Sequence, residues 1–167
     1  MKTFSLGLGI GAKGAFDSVA GLIDRTLGTN IGNLTGSGGL AAAFDGTRHN
    51  TSSTSASRSG TDGYVGKTLG NPSKIDHAIA YSSTVGYVSA ADPAITLELY
   101  GKAGAAPANA TDGTLLATSS FTDTAGNIVT ELESSNKTTV FNHVWLRVSS
   151  AGSVTWRVGE LEIWSAP

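Results

Sequence analysis

Glu160 is a carboxylate inside an apolar closing strand, Val154-Thr-Trp-Arg-Val-Gly-Glu-Leu-Glu-Ile-Trp164. Val154, Trp156 and Val158 share one parity, and Leu161 and Ile163 the other. A strand alternates with period two, so this one-residue slip beside Gly159 predicts a β-bulge. An unpaired charge buried at that point is costly, and Glu160 needs a counter-charge. The sequence places an Asp-Gly turn signal, Asp45-Gly46, at the far end of the chain. A cation shared by Asp45 and Glu160 would tie the first and last strands together. The plainer alternative has Asp45 capping a turn and Glu160 pairing with Arg48 or Arg157.

Other chemistry finds little footing. The chain has no cysteine, which excludes disulfides and thiolate chemistry and leaves a zinc site only His and carboxylates. The three His are isolated among many hydroxyls, so no Ser-His-Asp set stands out. Glu131 and Glu133 share a strand face but read as a solvated edge. Gly7-x-Gly9-x-Gly11 lacks the preceding strand that phosphate binding needs. Catalysis is therefore not expected. With a net charge of −2 and scattered basic residues, nothing favours nucleic acid. No apolar run reaches the length of a membrane span. Met1-Lys2 followed by Phe4 to Ile10 matches a signal peptide poorly, because glycines and Lys13 interrupt it. The sequons at Asn33, Asn50, Asn109 and Asn136 are at chance level in a chain so rich in Thr and Ser.

Only 14% of residues are charged and 22 are glycine, a mixture that suits many short strands joined by turns. Residues 1–39 and 40–167 read differently. In the first part Phe16, Val19, Ala20, Ile23 and Leu27 fall at helical spacing, with Gly28 as a stop, which predicts a short helix over 16–27. Thr29 to Gly39 reads as a Gly/Ser/Thr/Asn linker. So short a helix needs something to pack on. It either docks on its own domain or inserts into a partner, with Phe16, Val19, Ile23 and Leu27 as anchors. Residues 40–167 predict about eight strands. Ile75, His77, Ile79 and Tyr81 share a face, with His77 packed in the sheet. Ile95, Leu97 and Leu99 point inward, as do Val144, Leu146 and Val148. Trp156 and Trp164 read as packing residues. Trp145 points the other way, toward a partner subunit or a second core layer. The pattern is an all-β, antiparallel jelly-roll sandwich with an N-terminal arm.

In their order, Ala42-Ala-Phe-Asp-Gly46, Tyr64-Val-Gly-Lys67, Ile75-Asp-His-Ala-Ile-Ala-Tyr81, Ile95-Thr-Leu-Glu-Leu-Tyr-Gly101, Val144-Trp-Leu-Arg-Val148 and Val158-Gly-Glu-Leu-Glu-Ile-Trp164 resemble the galactose-binding-like, or discoidin, β-sandwich. That group includes coagulation-factor C domains and many carbohydrate-binding modules. The resemblance covers 40–167 and not the arm. It implies a structural calcium held by Asp45, by Asn50 or Thr51, and by Glu160, completed by carbonyls near Phe44, Thr47 and Leu161. Calcium accepts six to eight oxygens in loose geometry. The family often has an aromatic after the polar position, whereas Ser52 and Ser53 follow here. The resemblance also implies sugar at the loop end, against Arg48, His49, Arg58 and Tyr64, with Trp156 a weaker candidate. The competing view is an ordinary solvated loop.

The arm distinguishes this chain from generic binding modules. Together with one sandwich and no cysteine, it resembles a bacteriophage virion accessory protein: a capsid decoration, head spike or tail appendage. The expectation is a non-catalytic, homo-oligomeric particle protein. It attaches to other virion proteins through the arm and stabilises the particle or binds host surface glycans. The alternative is a free-standing lectin, or a carbohydrate-binding module of a secreted glycoside hydrolase. A hydrolase is the third reading.

Overall fold

A computed structural model describes residues 21–88 and 93–167. Among the described residues eight strands account for nearly all the regular structure: β1 (Gly21–Leu22), β2 (Thr29–Gly32), β3 (Gly36–Ser37), β4 (Ala56–Ser82), β5 (Ala94–Lys102), β6 (Thr114–Thr122), β7 (Val129–Glu133) and β8 (Val140–Ser165). A short 3-10 segment, Leu40–Phe44, precedes the Asp-Gly corner. The expected all-β sandwich is what forms. Among the described residues no helix is long and apolar enough to cross a membrane.

Two long strands make the architecture. β4 and β8 bend and serve both layers. In one layer Asp62 lies opposite Ser149 and Thr68 opposite His143. β5 and then β6 extend that layer on one side and β2 on the other. In the second layer His77 lies opposite Trp164 and Tyr81 opposite Glu160, with β7 added along β4 and β1 along β8. The two layers enclose an apolar core that includes Val65, Ile75, Ala78, Ile95, Leu97, Leu99, Val144, Leu146, Val148, Trp156, Leu161 and Ile163.

The slip in the closing strand is a bulge. Ser82 pairs with Val158 and Tyr81 with Glu160, so Gly159 has no partner opposite it. A Cβ on Gly159 would stand 2.6 Å from the Ser82 carbonyl and 2.9 Å from that of Arg48. Only glycine lets the first loop pass so close.

Three expectations change. Residues 21–27 are strand and turn, not the end of a helix: Ile23 N–H donates to Ile163 O (2.8 Å) as the chain runs along β8. The stretch taken as a linker carries β2, paired residue by residue with Thr68 to Val65 of β4, and β3, paired with Ser57 and Ala56. Edge strands offered continuous hydrogen bonds there, which outweigh helical periodicity in so short a segment. The segment from Gly21 to Ser37 is thus part of the sandwich. The third change concerns Ile75 to Tyr81. Ile75 is buried, but Ala78 and Ala80 take the core positions after it, while His77 and Ile79 are half-buried. Asp76 is skipped in the pairing between Ile75 and His77, and that irregularity reverses the faces. Trp145 is fully buried on the side away from the main core. It stacks on Tyr100 (5.6 Å between centroids), and its Nε1–H donates to Ala110 O (2.8 Å), so the 103–113 loop roofs a second small core layer.

Candidate functional site

The bulge at Gly159 shifts Glu160, Glu162 and Trp164 onto the outer face of the second layer, beside His77, Ile79 and Tyr81. The first loop, residues 45–55, folds over the upper end of this face. Two carboxylates two residues apart on one strand thus meet two different arginines.

Glu160 has no exposed surface. Its Oε1 accepts from Arg25 Nη1 (2.8 Å) and its Oε2 from the Gly46 N–H (3.1 Å). Burial lifts its carboxyl to about 7, and the Gly46 N–H and Arg25 pull it back only in part. The expected meeting of Glu160 with the Asp45-Gly46 corner is therefore real. Its cationic partner is neither Arg48 nor Arg157 but Arg25, from the segment read as an arm. Asp45 caps the turn as the plainer reading held: its Oδ1 accepts from the Thr47 N–H (2.7 Å). Asn50 is buried, and its Nδ2 donates to Ala42 O (2.9 Å), Gly159 O (3.0 Å) and Asp45 Oδ2 (3.2 Å). Three acceptors around one amide group identify the atom facing them as the nitrogen. Thr51 is exposed, and its hydroxyl bonds those of Ser53 and Thr54.

Calcium fits this corner poorly. A calcium shell is built of oxygens facing a shared centre. Here N–H donors of Arg25, Gly46 and Asn50 already face the carboxylates and carbonyls.

Two residues along, Glu162 is 4% exposed and accepts from Arg48 Nε (3.2 Å) and from the Tyr81 hydroxyl (3.2 Å). The Arg48 guanidinium lies over the Tyr81 ring, 5.3 Å from its centroid, and His49 meets the same ring edge-on at 5.5 Å. Burial raises the Tyr81 phenol above its ordinary range, with Glu162 adding to the effect. The Arg48 side chain is 63% exposed, and its hydrogen bond to Glu162 raises its pKa above the usual value. His49 Nδ1 lies 3.1 Å from Ser82 O. A carbonyl only accepts, so Nδ1 carries a proton and donates, which fixes the ring and leaves Nε2 as its other polar edge. Arg48 and His49 thus set two planar polar groups side by side at the loop end.

The other two expected ligand residues lie elsewhere. Arg58 is exposed on β4 opposite Trp156, and Tyr64 lies opposite Arg147 in the first layer. Trp156 is fully buried, its Nε1–H donating to Gly60 O (3.1 Å), and offers no platform. Tyr81 and Glu162, which anchor the cluster, were not expected. Their one signal was shared parity with residues already noted, Tyr81 with His77 and Glu162 with Glu160. Further down the face His77 stacks on Trp164 (5.4 Å) and bonds Asp76 (2.9 Å). Glu131 and Glu133 are exposed beside it, as an edge should be, and Lys137 bridges Glu133 and Asp76. Of the expected anchors, Phe16 and Val19 lie outside the described residues. Ile23 packs against the sandwich's own core, and Leu27 is 51% exposed.

No family model matches the chain. No curated protein matches it either. Solved structures do. A fucolectin from striped bass serum (Morone saxatilis) superposes with a TM-score of 0.63 at 14% identity, over 88% of this chain and 48% of its own. The family 32 carbohydrate-binding module of Clostridium perfringens NanJ, solved with galactose, gives 0.57 at 13% identity, over 88% and 100%. The family 32 module of AlyQ, solved with 4,5-unsaturated mannuronic acid, gives 0.57 at 13% identity, over 83% and 95%. At such identities the likeness is one of fold: the galactose-binding-like sandwich.

Proposed function

We propose that this chain is a non-catalytic glycan-binding sandwich, a lectin or a carbohydrate-binding module, and that the loop-end cluster of Arg48, His49, Tyr81 and Glu162 takes the sugar. The observation that carries this reading is the pre-set pair of Arg48 and His49. A sugar presents adjacent hydroxyls that both donate and accept. Arg48 spends its Nε on Glu162 and keeps the outer edge of its guanidinium for a ligand. Glu162 and Tyr81 hold that guanidinium flat and in place, which lowers the ordering cost of binding. The arrangement suits a ligand with vicinal hydroxyls or a carboxylate.

The structural neighbours support this reading, since those reported above are lectins and carbohydrate-binding modules, two of them solved with a saccharide. They lend no support to a place in a phage particle. That expectation rested on a free arm, and from Gly21 the arm belongs to the sandwich.

A glycan array spanning galactosides, fucosides and uronate oligomers tests the reading. The wild-type chain should retain one class without cleaving it. Arg48→Ala and His49→Ala should each weaken retention at least tenfold, whereas Arg58→Ala and Tyr64→Ala leave it unchanged. Retention of no glycan by the wild type would sink the proposal. Loss through Arg58 or Tyr64 instead would move the site.

A further inference from the structure

We propose that Arg25 is a built-in cation for the Asp-Gly corner, taking the place that the fold's structural calcium would fill, so that this sandwich is closed by its own N-terminal segment and not by a metal ion. The inference stands whether or not the sandwich binds sugar.

Three sets of contacts carry it. The first is at the carboxylate. Glu160 is fully buried, and both its oxygens are taken by N–H donors, Oε1 by Arg25 and Oε2 by Gly46. The demand for positive charge is met at 2.8 Å. The second is at the oxygens around it. Ala42 O, Gly159 O and Asp45 Oδ2 converge on the Asn50 amide nitrogen, a donor, where a calcium site would present oxygens to an ion. The third is the way Arg25 is delivered. β1 pins the chain before it to Trp164 and Ser165, and β2 pins the chain after it to Thr68 and Lys67. Between them Asp24 accepts from the Thr26 N–H and hydroxyl (2.8 and 2.7 Å), shaping the turn. The backbone carbonyl of Arg25 accepts from Lys67 Nζ, and that ammonium lies over the Phe44 ring at 4.9 Å. Lys67 is itself 4% exposed, on the inward parity of β4 between Val65 and Leu69. Its burial makes sense as a post for this turn, since an unbonded buried ammonium would be expensive. Gly46 completes the fit. Its φ is +87°, and a Cβ there would lie 2.8 Å from Arg25 Nη1.

Charge and packing can be separated by two substitutions read against calcium. The full chain is melted with millimolar calcium and with EDTA at matched ionic strength, and titrated with calcium by calorimetry. The wild type should show no binding heat and one melting temperature under both conditions. Arg25→Met keeps most of the aliphatic stem and removes the charge. It should melt roughly 6–12 °C lower, the scale for stranding a buried carboxylate in a chain of this size. Arg25→Lys keeps a charge and should lose less than half of that. Calcium binding by the wild type, or a melting temperature raised by calcium or lowered by EDTA, overturns the proposal. Equal losses in the Met and Lys variants overturn it too, because packing alone would then hold the turn. If neither variant folds, the wild-type titration decides.

Discussion

Glu160 and Glu162 stand on the same face of the same strand, and each meets an arginine. Arg25 comes from a turn strapped between two paired strands and closes over a carboxylate with no exposed surface. Arg48 comes from the open first loop and is 63% exposed over a carboxylate that is nearly buried. Chemically the two pairs are alike. Their surroundings give them different work. At the corner both oxygens of the buried Glu160 are taken by N–H donors of the protein itself, so the pair holds structure together. At the loop end the guanidinium keeps an unspent edge toward solvent, so the pair can hold something else.

Mutation should break the likeness between them. Arg25→Ala leaves a buried carboxylate without its partner, with an expected cost of about 3 kcal/mol by denaturant unfolding. An equal loss for Arg48→Ala would erase the contrast.

Titration sharpens it. Glu160 is held near 7 in the fold, above its ordinary value of 4.5. The folded chain therefore binds this proton more tightly than the unfolded chain does. Its contribution favours folding below pH 4.5 and is lost as pH rises to about 7, a change of at most about 3 kcal/mol. Chemical denaturation across that window should show stability falling with pH. Glu160→Gln should flatten the slope, and an unchanged slope in that variant would remove Glu160 as its source.

Tyr81→Phe deletes one donor to Glu162 and frees the Arg48 platform. It should cost about 1 kcal/mol in stability and weaken glycan retention several-fold. Full retention would show that Arg48 needs no such support. Arg48→Ala itself should change stability least, by under about 1 kcal/mol, because the Arg48 side chain is mostly in solvent and the Tyr81 hydroxyl still donates to Glu162, while weakening glycan retention most.

Much of the scaffold could be read from alternation. The inward triplets Ile95, Leu97, Leu99 and Val144, Leu146, Val148 are core residues as expected, and the slip at Gly159 is a bulge. The errors have a common cause. Ile23 and Leu27 fit a helical stripe, but a local pattern says nothing about a free sheet edge waiting elsewhere. The faces of His77 and Ile79 turn on the irregularity at Asp76, and Asp76 carries no glycine to announce it. Arg48 and His49 stood out as loop residues. Tyr81, which holds them, looked like one more apolar strand position.

Local periodicity and the cost of burying charge were enough to set the strand pattern, the Asp-Gly corner and the need of Glu160 for a cation. Which cation answers that need was a tertiary matter. Arg25 lies 135 positions away from Glu160 in the chain. Ion pairing depends on distance in space and on the dielectric around the charges, and neither is written along the chain. The pairing of β1 with β8 and of β2 with β4 brings Arg25 to Glu160, and leaves Arg48 to the neighbouring carboxylate.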